Sequence, residues 1–75
     1  MIDRNIFSER LNLLKTKKNI TTVSLASALS IAKQSVHTWE NMKTIPSSDK
    51  LVELADYFDV SLDYLVGRSD NPERH

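Results

Sequence analysis

Residues 21–41, TTVSLASALSIAKQSVHTWEN, constrain the possible folds of this chain more than any other stretch. The apolar residues Leu25, Ala26, Leu29, Ile31, Val36 and Trp39 recur at helical spacing in two short stripes, broken only at residues 30–32. So brief a break holds neither a strand nor a long loop, so the two helices must cross. Ala26 reads as the spacer at that crossing, because a small side chain lets two backbones approach; a large one there would overpack it by about 1–3 kcal/mol.

Two helices crossing at a turn of three or four residues form a helix-turn-helix unit, whose second helix can be pushed outward into a DNA major groove. Over residues 33–40, Val36 and Trp39 fall inward and Lys33, Gln34, His37 and Thr38 outward. The outer set is a cation, an amide, an imidazole and a hydroxyl, with no carboxylate. Lysine suits guanine acceptors, glutamine pairs bidentately with adenine, and threonine meets a base edge or a thymine methyl group. A merely solvated helix face is the plain alternative.

With 75 residues there is room for one domain and a small core. The single Gly and two Pro leave little for the turns of a sheet protein, so the fold class expected is all-α. Without Cys there is no disulfide framework and no thiolate metal site. No metal-spaced ligands and no glycine-rich phosphate loop occur, so no metal and no cofactor are expected. No apolar run approaches the roughly 20 residues of a membrane span, and the first residues lack a run of signal-peptide length; no membrane association and a cytoplasmic location follow as expectations.

Net charge is zero, which counts against a polyanionic partner until the charges are placed. Residues 1–43 hold seven cations (Arg4, Arg10, Lys15, Lys17, Lys18, Lys33, Lys43) against three anions, and residues 44–75 hold three cations against seven anions. A basic front suits phosphates, and an acidic back is left for packing or partners. Two ordinarily solvated faces remain the bland reading.

Around the central pair, a first helix is predicted over residues 4–17, burying Phe7, Leu11 and Leu14, with Asn19 as its exit. Lys15, Lys17 and Lys18 serve either as complements to the helix dipole or as phosphate contacts. Thr21 caps the second helix, and Ile31 tucks from the turn into the core. Lys43 and Thr44 lie in a loop, within reach of phosphates. Ser47 or Ser48 caps a fourth helix with Leu51, Leu54, Ala55 and Phe58 inward. A fifth begins at Ser61, carries Leu62, Leu65 and Val66, and closes at Gly67. Residues 1–68 form the domain, and the polar tail, residues 69–75, frays from about Arg68.

These features resemble the lambda-repressor-like, Cro/Xre-type helix-turn-helix family. The resemblance rests on R-L-x-x-L at residues 10–14, I-T at 20–21, L-A-x-x-L-x-I at 25–31, Trp39-Glu40, Pro46, and L-x-x-L-A-x-x-F-x-V-S-L-D-Y-L-x-G-R at 51–68. It implies a compact five-helix bundle, base-reading positions at Lys33, Gln34 and Thr38 with His37 beside them, and a structural pair of Lys15 with Glu40. It departs in four places. Thr22 stands where a phosphate-reaching Gln is common. Ser30 replaces the turn glycine, at about 1 kcal/mol. Ala32 forgoes a hydroxyl cap, at about 0.5–2 kcal/mol. Met42 occupies the place of a helix-ending glycine, beside an Asn41 that tolerates the left-handed conformation.

The function expected is sequence-specific binding of double-stranded DNA by a transcriptional repressor, a homodimer on a pseudo-palindromic operator with half-sites about 34 Å apart. Lys33, Gln34, His37 and Thr38 would contact bases; Thr22, Lys43, Thr44 and Lys15 would contact phosphates. Tyr64, Leu65 and Arg68 would form the dimer face, as the family uses its C-terminal elements, or else Tyr64 and Leu65 simply pack on Phe58. The competing expectation is an antitoxin-like interaction module whose acidic helices bind a protein. An enzyme is not expected, because His37 has no nucleophile or orienting partner in the sequence pattern.

Overall fold

Local side-chain and backbone devices set most of the helix ends in the computed structural model, which describes residues 3–73 and holds five helices among them: α1 (Arg4–Lys18), α2 (Thr22–Leu29), α3 (Lys33–Glu40), α4 (Ser48–Phe58) and α5 (Leu62–Leu65). Met1 and Ile2 of the expected domain, and Arg74 and His75 of the expected tail, lie outside the described residues. Asp3 accepts from the Asn5 amide at 2.8 Å, Thr21 from Ser24 at 3.0 Å and Ser61 from Tyr64 at 3.0 Å, so three helices start on a side-chain cap. Ala32 supplies none, and Ser47 holds the cap position of α4 without a capping bond from its hydroxyl. The serine cap expected for α4 is thus positional only.

Three helices end on a left-handed residue that is not glycine: Asn19 (φ 55°), Ser30 (φ 56°) and Asp59 (φ 56°), each turning its amide back onto two carbonyls of the last turn. Ser30 therefore takes the conformation that the tight turn demands despite its Cβ. After α3 the left-handed residue is Met42 (φ 63°), and Asn41 (φ −101°) does not take that role. The reason is local. The Asn41 amide still bonds the His37 carbonyl at 3.0 Å, and its side-chain amide bonds that same carbonyl at 2.8 Å, which prolongs the helix by one residue and hands the reversal to Met42. Met42 is half exposed, so its side chain contributes little burial. Met42→Gly is accordingly expected to stabilise the domain by about 0.5–1 kcal/mol, the left-handed cost relieved less the added freedom of glycine when unfolded; a denaturant midpoint unchanged or lowered would contradict the assignment.

The core collects Phe7, Leu11 and Leu14 of α1, Leu25, Ala26 and Leu29 of α2, Val36 and Trp39 of α3, Leu51, Leu54, Ala55 and Phe58 of α4, and Val60, Leu65 and Val66 around α5. Ile20, Ile31, Ile45 and Tyr64 pack against it from partly buried positions. Helix α3 lies against α2 and α1, α4 against α2 and α5, and α5 against α1. Lys50 reaches across to donate to the Leu29 carbonyl at 3.1 Å, closing the open end of α2.

Of the tail expected to fray, residues 69–72 make hydrogen bonds to the helices. Arg10 stacks over the Tyr64 ring at 4.2 Å and donates to the carbonyls of Tyr64 (2.5 Å) and Ser69 (2.6 Å) and to the Asp70 carboxylate (2.9 Å). The Ser61 amide bonds the Pro72 carbonyl at 2.9 Å. A half-buried guanidinium needs several acceptors, and the tail supplies them.

Candidate nucleic-acid interface

Helix α3 presents its outer face because its inner one is fixed by packing. Val36 is fully buried and Trp39 nearly so, which leaves Lys33 and Gln34 exposed and His37 and Thr38 at the half-buried margin. Positions 33, 34, 37 and 38 share one face by the i, i+3, i+4 rule. The four residues predicted as base readers thus stand side by side.

Behind them, α1 holds the C-terminal end of α3. The buried Ser8 hydroxyl donates to the Glu40 carbonyl at 2.7 Å, Asn12 reaches that carbonyl at 3.5 Å, and Arg4 donates to the Lys43 carbonyl at 2.9 Å. These contacts satisfy carbonyls that a helix end leaves open. None of the three residues was singled out from the sequence. The period offered a signal for Ser8, which lies on the stripe of Phe7, Leu11 and Leu14; nothing in the sequence pairs Arg4 with a loop 39 residues away.

A polar triad occupies the α1, α2 and α3 junction. Lys15 Nζ forms an ion pair with Glu40 Oε2 and donates to Thr22 Oγ1 at 2.8 Å, while Thr22 Oγ1 donates to Glu40 Oε2 at 2.7 Å. The side chains of the pair are 13% and 12% exposed, and burial lowers the Lys15 pKa from its ordinary 10.5. The other carboxylate oxygen, Oε1, lies 3.4 Å from His37 Nδ1. No metal-ligating group of three or more His, Asp or Glu side chains occurs among the described residues.

The predicted phosphate contacts separate accordingly. Lys15 and Thr22 are both engaged with Glu40, so a structural contact accompanies their expected phosphate role. Thr44 donates to Thr38 Oγ1 at 2.9 Å, and Thr38 donates back to the Ser35 carbonyl at 2.7 Å, so the two hydroxyls tie the loop to the helix. Lys43 is exposed beside Arg4, which makes Arg4 a second cation at that edge. The residues of the predicted dimer face divide. Leu65 is fully buried and Tyr64 carries Arg10 on its ring, because α5 closes the core; Arg68 is exposed, as are Val52, Tyr57 and Leu62 nearby in sequence.

Comparison with known proteins places this arrangement. A family profile described as helix-turn-helix matches residues 11–65. The HTH-type transcriptional regulator YobD of Bacillus subtilis is 38% identical over 68 residues, covering 91% of this chain and 61% of that protein. The HTH-type transcriptional activator BcrR of Enterococcus faecalis is 33% identical, covering 80% and 29%, and the regulator AnsR of Bacillus subtilis 40%, covering 80% and 52%. The crystal structure of a transcriptional regulator from Listeria innocua superposes with a TM-score of 0.77 at 34% identity, over 81% of this chain and 57% of that one. The chain thus spans about three fifths or less of the length of each of these proteins.

Proposed function

Because this chain belongs to the helix-turn-helix family, in its Cro/Xre-like form, we propose that it is a transcriptional repressor that reads duplex DNA with the outer face of α3. The family is one of DNA-binding regulators, not of enzymes. The observation that carries the reading is the support of α3: its C-terminal end is held by Ser8, Asn12, Arg4 and Lys15, while Lys33, Gln34, His37 and Thr38 face outward. Lys43 and Arg4 beside the end of α3 suit phosphates, which fix register without reading sequence.

The protein works in this reading as a cytoplasmic homodimer on a pseudo-palindromic operator, since a domain of zero net charge has little electrostatic affinity to spare for a single half-site. Its face lies at Arg68 and at the exposed Val52 and Leu62 in place of the buried Leu65. Selection from random duplex DNA tests all of this at once. A palindromic consensus is expected; no consensus overturns the repressor reading. With the operator in hand, Gln34→Ala should cost about 1–3 kcal/mol on the cognate site and little on random DNA, whereas Lys43→Ala should weaken both alike.

The acidic second half, with Val52, Tyr57 and Leu62 exposed, favours a second reading as a protein-binding module. A stable protein complex that persists while neither substitution alters DNA binding would favour it. Among the described residues no helix is long and apolar enough to cross a membrane.

A further inference from the structure

Neutral imidazole carries one proton on two nitrogens, so one is a donor and the other an acceptor, and whatever the first nitrogen faces decides which is which. In this chain a carboxylate oxygen lies beside the first nitrogen. Glu40 divides its two oxygens: Oε2 takes both Lys15 Nζ and the Thr22 hydroxyl, which leaves Oε1, 3.4 Å from His37 Nδ1. The carboxylate is 12% exposed and is held from α1 and α2, so it cannot swing away from the imidazole without losing both partners. A proton on Nδ1 is attracted to Oε1, whereas a lone pair there would be repelled.

We infer that Glu40 fixes His37 in the Nδ1–H tautomer, so that Nε2 confronts DNA as a hydrogen-bond acceptor and selects an exocyclic amino group, adenine N6 or cytosine N4, in the major groove. The inference rests on the DNA-reading role of α3 proposed above. It gives His37 a definite polarity among its neighbours: Lys33 is donor only, Gln34 can do both, and the Thr38 hydroxyl already donates to Ser35. In the major groove each base pair has a single amino donor, and the strand that bears it distinguishes A·T from T·A and G·C from C·G. An acceptor on α3 therefore reads strand as well as base. Glu40, with Lys15 and Thr22 behind it, is a positioning residue and touches no base.

Charges around the imidazole agree with this. Helix α2 carries no charged residue, α1 contributes Lys15, which is already paired with Glu40, and the imidazole's own helix places Lys33 one turn back on an exposed position. No second carboxylate stands on α3 to compete for Nε2.

The test has two readouts. In the free protein, ¹⁵N spectra of the imidazole at a pH where it is neutral should show a protonated Nδ1; the Nε2–H tautomer would overturn the inference. On DNA, comparison of the selected consensus of the protein with that of His37→Ala identifies the base pair that loses its preference. At that pair, purine in place of adenine, or 2-pyrimidinone in place of cytosine, removes only the amino group. This should weaken the unaltered protein about three- to tenfold, the worth of one hydrogen bond, and leave His37→Ala unmoved. An effect confined instead to 7-deaza substitution, which removes a purine acceptor, would overturn it, as would identical preferences in protein and variant. Absence of any consensus in the unaltered protein is a separate result, since it removes the DNA-reading role itself.

Discussion

Replacing Glu40 with Ala is expected to destabilise the domain by about 3–5 kcal/mol, because it strands the Lys15 ammonium in a site where that side chain is 13% exposed. For a domain of this size the loss corresponds to a fall in melting temperature of roughly 12–24 °C at its lower end. The pair itself is not a large net source of stability, since two charges must leave water to form it. The double variant Lys15→Met, Glu40→Leu should therefore recover most of the loss, and a double variant as unstable as the single one would refute the stranded-charge explanation. The sign with pH is fixed as well. Burial already lowers the Lys15 pKa below its ordinary 10.5, so between the folded and unfolded values the unfolded chain binds more protons. Stability of Glu40→Ala should thus rise with pH until 10.5 is passed, as the stranded group sheds its proton. Thermal melts from pH 7 to pH 10 measure it.

Gly67→Ala is the second large effect, expected to cost about 2–5 kcal/mol from two independent causes. Gly67 has φ +88°, where an L residue is strained by about 1–2 kcal/mol, and a Cβ built there would stand 2.7 Å from Cγ2 of Ile6 and 3.3 Å from its Cβ. Overpacking against α1 adds about 1–3 kcal/mol. The two causes separate in a mutant cycle. In an Ile6→Ala background the clash is relieved and the strain is kept, so Gly67→Ala should cost only the smaller part there; equal costs in both backgrounds would show that α1 does not press on this turn.

The other helix ends show why glycine matters at this one. Asn19, Ser30, Met42 and Asp59 also have positive φ, near +60°, and keep their side chains. At each of them the Cβ costs conformational energy alone. At Gly67 the neighbouring helix occupies the space a Cβ would need. The spacing of apolar residues and the single glycine were visible in the sequence, and so was the need for a left-handed turn; the press of Ile6 was not.

The same division runs through the candidate site. Helical period alone assigned Val36 and Trp39 to the core, which leaves Lys33, Gln34, His37 and Thr38 on the outer face, since a helix that buries one stripe must expose the opposite one. The pairing of Lys15 with Glu40 came from family resemblance, and the structure contains that ion pair. Which atoms were already taken could not be read from spacing. The Thr22 hydroxyl looks free for phosphate in sequence, yet it donates to Glu40; Leu65, for which a dimer face and core packing were both open in sequence, is fully buried.

The sequence by itself determined the five helices, their buried stripes and the outward set on α3, because periodicity, caps and turn residues act over a few neighbouring positions. Tertiary structure alone decided that Ser8, Asn12 and Arg4 hold the end of α3, that Arg10 ties down residues 64–70, and that one oxygen of Glu40 is left for His37. Those contacts join residues 25 to 60 positions apart or depend on them, and a buried polar group bonds whichever partners the packed helices bring within reach.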